Sequence, residues 1–379
     1  MKKKRLLFLI YDGVENSVFE SMVLAPAKKY LSLGLYSKVD IVSFESDYSS
    51  ALGKVDTFDL PAGLSIILYC RMSVVTKPTL WIHAPVLARF IWSQWYDEIL
   101  VRGPLAAYVL NVAIHWFIRV LDSTWSVPVT IQARGLAAQE ALFTFNAKSS
   151  RSWFLKKLFS LRVSTLTAIE QAVYQKKSWK VPMKITAVSE ALKDYLVSSF
   201  GANKDFVVLE ELDITEPVSR ELVQQWREDF RGYLKIPADA VVYGYSGSCK
   251  KWQCARETLF FLADKIAENQ NTYGLIVTTD VIEFEALISE LKISNTRLIV
   301  KYVPQKDLLP MISTFDFGLL LRLTHVVNWV SRPTKALEYM AVGVPIIHNK
   351  TVGWLVDYDE KVGAVGSEIT PHPRHVSLS

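Results

Sequence analysis

The stretch "SRPTKALEYMAVGVPII", residues 331 to 347, reads in three pieces: a turn around Pro333, a helix of about ten residues, and a short apolar strand marked off by Gly343 and Pro345. Lys335 and Glu338 stand near the mouth of that helix, directly before the very apolar "YMAVGVPII", where a helix is expected to be buried. Neither charge serves a core. Unpaired amides at a helix start favour an anion, and Lys335 can reach a phosphate. Glu338, one turn deeper, can accept hydrogen bonds from two vicinal hydroxyls. A ribose diphosphate needs those parts in that order. The plain alternative is an exposed helix pair worth about 0.2–0.5 kcal/mol, and the apolar context argues against it.

Outward from this segment, apolar runs alternate with helical periodicity, the pattern of parallel sheets covered by helices on both faces. Strands are read at "RLLFLIY", "VDIVSF", "SIILYC", "EILVR", "PVTIQA" and "KITAV" in the first half, with helices over 17–33, 104–120, 162–176 and 190–199. Ser189 is expected to cap the last of these. The second half repeats the design with "VVYGYSG", "YGLIVTT", "RLIVKY", "FGLLLR" and "VPIIHN", and helices over 253–269, 282–291, 305–313 and 334–342. The expectation is an α/β chain of two Rossmann-like, doubly wound domains facing across a cleft. They cover residues 1–210 and 237–379, joined by a charged junction at 211–236. Ligands in such sheets lie beyond the carboxyl ends of the strands.

A net charge of +5 suits anionic ligands or a lipid surface and falls short of a nucleic-acid footprint. Cys70, Cys249 and Cys254 lack zinc spacing and read as reduced thiols of a cytoplasmic protein. "MKKKRLLFLIYDG" is interrupted at Asp12 and reads as a buried first strand rather than an export signal. "PLAAYVLNVAIHWFIRVL", 104 to 121, contains Asn111, His115 and Arg119, so a spanning helix is not expected.

A second anion candidate is "YGYSGSCKKWQ", residues 243 to 253. A strand ends there in a turn with Gly244, Gly247 and Ser248, whose amides could surround a phosphate beside Lys250 and Lys251. Ordinary turn chemistry and a solvated lysine pair remain the plain alternative.

"LLLRLTHVVNWVSRPTKALEYMAVGVPII", 319 to 347, resembles the donor site of retaining glycosyltransferases of the large family 4 group, which have the two-domain GT-B fold. "IYDGVENSVFESMVLAPAKKY" resembles the first strand, loop and helix of bacterial members acting on surface polysaccharides. "LVRGPLAA" and "QARGLAAQEAL" resemble their paired Arg-Gly elements. "ITAVSEALKDYL" and "GYSGSCKKWQ" resemble the strand and helix before the junction and the phosphate loop.

The resemblance implies a metal-independent hexosyltransferase that moves a sugar, with retention, from a nucleotide-diphosphate sugar to a glycan or lipid-linked acceptor. No cofactor is implied. Glu338 would hold the ribose, and Lys335 and Thr334 the diphosphate, supported by Lys251, Gly247 and Ser248. Asp12 and Gly13 would close the site from the first domain. Arg102 and Arg134 would stand near the reacting sugar or the acceptor, as the catalytic candidates together with Lys335.

Departures from the pattern are specific. Many relatives have a glutamate where Val330 stands, so sugar recognition is expected from elsewhere, with Asn328 a candidate, and Arg332 replaces a small residue. His83 reads as a core or rim residue. The polar "GSEITPHPRHVSLS" reads as a frayed tail where relatives continue into further helices. Asp357 and Asp359 read as a solvated turn, not a metal site. The basic, aromatic "RSWFLKKLFSLR", residues 151 to 162, suits peripheral contact with the inner face of a plasma membrane as well as it suits an ordinary amphipathic helix. The competing functions are an inactive glycosyltransferase-like partner in a polysaccharide assembly complex and a two-domain solute-binding protein.

Overall fold

The structure, a computed structural model, describes residues 4–11, 13–16, 19–72, 76–146, 153–210, 218–294 and 296–362. The chain divides after Glu210 into two compact units, each with its own parallel sheet.

The first unit opens with β1 (Arg5–Tyr11), a π-helical turn at Glu20–Leu24, α1 (Ala25–Ser32), β2 (Lys38–Glu45), α2 (Tyr48–Val55) and β3 (Leu64–Cys70). It continues through α3 (Lys77–Trp81), α4 (Ala84–Gln94) and β4 (Glu98–Arg102). Helix α5 (Pro104–Ala113) runs on through a π-helical turn (Ile114–Ile118) into α6 (Arg119–Leu121). Then come β5 (Val129–Ala133), α7 (Ala137–Asn146), α8 (Trp153–Tyr174), β6 (Met183–Ala187), α9 (Glu190–Phe200) and β7 (Val207–Leu209).

The strand order is β3-β2-β1-β4-β5-β6-β7, all pairings being parallel. Order reverses between β1 and β4. Leu6 through Ile10 of β1 are all buried, as a strand covered on both faces requires; that is why it reads as a continuous apolar run. Ser189 caps α9 by accepting from the Leu192 amide at 3.0 Å, and Gly201, at φ 68°, ends the helix in the left-handed region.

The second unit carries α10 (Arg220–Leu234), β8 (Val241–Ser246), α11 (Ala255–Glu268), β9 (Thr272–Val277), α12 (Val281–Glu290) and β10 (Leu298–Lys301). It ends with α13 (Leu308–Ile312), β11 (Phe317–Leu320), α14 (Val326–Trp329), α15 (Thr334–Ala341), β12 (Ile346–His348) and α16 (Gly353–Val362). The order β10-β9-β8-β11-β12 reverses between β8 and β11. Both faces are covered: Leu275 and Val277 of β9 pack with Phe315 and Tyr339 on one side, and Ile276 packs with Leu259 and Leu262 of α11 on the other.

Residues 220–234, within the charged stretch expected as a junction, form α10. Trp226 and Phe230 pack on the core of the second unit. The guanidinium of Arg231, 3% exposed, donates to the carbonyls of Thr314 and Ala240 and to Asp316. Charge there belongs to the outer face of an amphipathic helix and to one buried clamp. Asp357 and Asp359 lie in α16 rather than in a turn, and Asp359 meets His348 Nε2 at 2.7 Å.

The segment 151–162 contributes the start of α8, but Arg151, Ser152 and most side chains of its first turns fall outside the described residues. Phe159 stacks on Phe145 of α7 at 3.7 Å. The polar C-terminal stretch from 363 onward also lies outside them.

Candidate functional site

In the second unit the side chains of interest gather where strand order reverses, at the carboxyl ends of β8 and β11. In doubly wound sheets a crevice opens at that point. Strand β8 runs into Gly247, whose φ of 144° suits glycine. A Cβ there would stand 2.7 Å from Lys335 Nζ, so the missing side chain is what admits the ammonium. Lys335 is buried. Its Nζ donates to Gln253 Oε1 at 3.0 Å and lies 4.0 Å from the centroid of the Tyr245 ring. Two motifs far apart in sequence, the turn at 247 and the helix at 334, thus meet at one ammonium.

Arg322 follows β11 and is locked through its backbone: its amide donates to Asn349 Oδ1 at 3.2 Å and its carbonyl accepts from Asn349 Nδ2 at 2.8 Å. Its Nε is buried without a partner. Burial lowers its pKa. Burial, and then the proximity of Arg322, hold Lys335 well below the ordinary lysine range, with Glu338 opposing. Glu338 is half-buried; burial raises its carboxyl and Lys335 opposes that rise. Among the described residues neither Lys335 nor Arg322 forms a salt bridge. Two cations held this way are costly unless an anion joins them.

Helix α15 begins behind Pro333 with no capping side chain, so the first-turn amides at Thr334 and Lys335 have no acceptor within the helix. The turn after β8 is more occupied than expected. The Gly247 amide donates to the Val277 carbonyl at 3.0 Å, and the Cys249 amide to Asp280 Oδ2 at 2.9 Å. Gly244 lies inside β8 under the Phe315 ring and is a packing glycine, not part of a phosphate turn. Ser248 Oγ accepts from Gln253 Nε2 at 2.8 Å, and Lys251 is exposed.

Asn328 is 4% exposed and its Nδ2 donates to the Leu323 carbonyl at 2.7 Å, which commits that amide to shaping its own loop. Arg332 and Thr334 are half-buried, and Val330 is buried. Sequence reasoning marks the "LR" strand end that contains Arg322 as part of the resemblance but gives that residue no role, and it does not single out Gln253 or Tyr245. Arg322 closes the quoted "LLLR" and Gln253 ends "GYSGSCKKWQ", but nothing local to either says which way it faces.

The first unit has its own cavity, of about 230 Å³, at the carboxyl ends of β1, β4 and β5. Gly13, Asn16, Arg102, Gly103, Arg134 and Glu140 line it. Both Arg-Gly elements therefore converge on one space, again where strand order reverses. Asp12 lies outside the described residues. Arg102 has a buried Nη1 without a partner; burial, then Arg134, pushes its pKa down to about 10, with Glu210 opposing.

Arg134 pairs with Glu210, which also accepts from Gln132 Nε2 at 3.3 Å. Gly135 leaves room for the Glu140 carboxyl, where a Cβ would collide. Behind it, fully buried Glu170 accepts from the Ala137 and Ala138 amides at 2.7 and 3.2 Å, anchoring the start of α7. His83 is 7% exposed, its ring 4.9 Å from that of Phe44. It sits in the core, as its apolar context suggested.

No family model matches the sequence, and no curated protein matches it. Solved structures do. A glycosyltransferase from Rickettsia africae superposes with a TM-score of 0.60 at 15% identity, covering 94% of this chain and 82% of that one. The fold is GT-B.

WaaG, a glycosyltransferase involved in lipopolysaccharide biosynthesis, gives a TM-score of 0.63 at 14% identity over 94% of this chain and 84% of its own. A UDP-GlcNAc 2-epimerase from Methanocaldococcus jannaschii gives 0.53 at 10% identity over 97% and 89%. At such identities what is shared with this GT-B chain is architecture, and one architecture hosts more than one reaction. The chemistry has to come from the side chains.

Proposed function

We propose that this GT-B chain transfers a sugar from a nucleotide-diphosphate sugar to an acceptor hydroxyl. One observation carries the reading: among the described residues, Lys335 and Arg322 stand without salt bridges beside the Gly247 turn and the uncapped start of α15. A diphosphate supplies the missing negative charge, and Glu338 one turn on is placed to accept from ribose hydroxyls. Glycosyltransferases among the structural neighbours support the same reading.

Breaking the bond between the anomeric carbon and the diphosphate oxygen leaves the electron pair on the diphosphate. Cations and helix amides fixed before the reaction stabilise that charge as it develops, an effect on the order of several kcal/mol. The cavity of the first unit, with Arg102 and Arg134, takes the acceptor or the reacting sugar. The finer reading is a metal-independent transfer with retention, to a glycan or lipid-linked acceptor of surface polysaccharide synthesis, at the cytoplasmic side of a membrane. It rests on the resemblance of residues 319–347 and of the Arg-Gly elements.

The test is nucleotide release from a panel of UDP-, GDP- and CMP-sugars, with and without acceptor glycans, alongside direct titration of the free nucleotides. Glu338→Ala is expected to weaken nucleotide binding by about tenfold, the value of two charge-assisted hydrogen bonds in part offset by solvent. An unchanged affinity removes Glu338 from the ribose. Val330, buried where many family 4 members have a glutamate, favours one second reading, an inactive partner protein. Nucleotide binding without turnover of any donor would select it.

A further inference from the structure

Helices on the surface of a domain normally turn a polar face to water. The outer face of α3, α4 and the helix running from α5 into α6 does the reverse. Trp95 is 76% exposed, Leu121 74%, Val120 71% and Trp116 54%. Along α4 and its flanks exposed apolar positions recur at helical spacing as Ile82, Val86, Trp92 and Trp95, with Arg89 and Ser93 the exposed polar positions among them, so the water-facing stripe is largely apolar and its one charge is basic. The Trp81 and Trp116 rings lie 5.5 Å apart and join α3 to the π-helical turn, which α4 also touches.

The inner faces of the same helices are committed to the core, through Leu87 and Ile91 of α4 and Val109, Leu110 and Ala113 of α5. Pro104–Leu121 is long and apolar enough to cross a membrane, but 44% of it is buried within the unit. One side of this helix is held by protein and the other is not, which excludes a spanning role and leaves a surface.

Charge identifies what covers that surface. Neither 76–96 nor 104–121 contains an aspartate or glutamate, whereas Lys77, Arg89, His115 and Arg119 fall within them. The carboxylates that follow each stretch are engaged locally: Asp97 accepts from the Arg5 amide at 2.8 Å, and Asp122 from the Thr124 amide and hydroxyl. Tryptophan together with basic side chains, and no acid, is the chemistry of a headgroup layer.

We propose that this face docks on an anionic lipid surface. The helices lie in its plane, the indoles and Ile82, Val120 and Leu121 enter the headgroup boundary, and Lys77 and Arg89 meet lipid phosphates. The surface is distinct from the basic helix at 151–162 and is independent of the reaction proposed above.

The test floats the full-length protein with vesicles of phosphatidylcholine alone and of phosphatidylcholine containing one-third phosphatidylglycerol. Binding is expected to the anionic vesicles, weaker to the neutral ones, and reduced several-fold as salt rises from about 0.1 to 0.5 M. The triple variant Trp95→Ser, Trp116→Ser, Leu121→Ser changes only exposed side chains. It should keep its circular dichroism and melting temperature and lose roughly tenfold or more of its partitioning. Failure of the wild type to float with anionic vesicles overturns the proposal, as does a triple variant that floats equally well. A wild-type dimer that the variant converts to a monomer also overturns it, because the face would then belong to a second copy.

Discussion

Lys335 carries an ammonium into a place where Gln253 is its hydrogen-bond acceptor and Arg322 its like-charged neighbour. Such a residue is held by function rather than by stability, and the two can be separated. Lys335→Met removes an unpaired buried charge while keeping the volume, so the ligand-free protein should be as stable as wild type or more so by about 1–2 kcal/mol. Affinity for a nucleoside diphosphate should fall by about tenfold or more. Melting curves and a UDP titration measure both; lost stability with affinity intact would contradict the assignment.

The depressed pKa gives a second consequence. Between that pKa and the ordinary lysine value the unfolded chain binds more protons than the folded one, so ligand-free stability rises with pH through this window. Within this window a bound diphosphate favours the ammonium and takes up a proton, so affinity weakens as pH rises through it. Calorimetric titrations in two buffers of different ionisation heat read the uptake directly.

At the scale of the element, the junction between α7 and α8 depends on Glu170, whose carboxyl bridges from α8 to the two amides opening α7. Burial pushes it up to about 7 despite those bonds, which favour the charged form. The folded protein therefore holds a proton there that the unfolded chain, at an ordinary pKa near 4.5, has released. Stability of the first unit falls as pH rises from about 4.5 to 7, by an amount bounded on the order of 3 kcal/mol. Denaturant titrations across that range should show the slope, and Glu170→Gln should flatten it; an unchanged slope would put the titrating group elsewhere.

The elements themselves were unevenly legible. Strands β1 to β6 and β8 to β12 stand out as apolar runs because both sheet faces are covered. Strand β7, three residues long, is too short to show a pattern. Periodicity predicts no helix over α3 and α4, where apolar residues on the outer face erase the contrast it needs. The same exposed tryptophans that hid those helices mark the lipid-docking surface.

For the whole molecule, the two units have separate cores and each presents its polar side chains where its own strand order reverses. If the donor site belongs to residues 211–379, a nucleoside diphosphate should raise the thermal transition of that unit. At a ligand concentration about a hundred times Kd the shift is worth about 2.7 kcal/mol. Scanning calorimetry with and without UDP, followed by limited proteolysis to assign each transition, checks this; a shift confined to residues 1–210 would move the site.

The amino-acid sequence already carries the parallel α/β architecture, the helix cap at Ser189, and the presence of an ammonium and a carboxylate at the start of α15. These follow from periodicity and local backbone preference, which neighbouring residues settle among themselves. It takes the folded chain to show that Arg322 joins Lys335, that the Gly247 and Cys249 amides are already bonded, that Gly244 serves Phe315, and that both Arg-Gly elements open into one cavity with Glu140. Whether a polar group is satisfied depends on partners distant in the chain, and no local pattern encodes their approach.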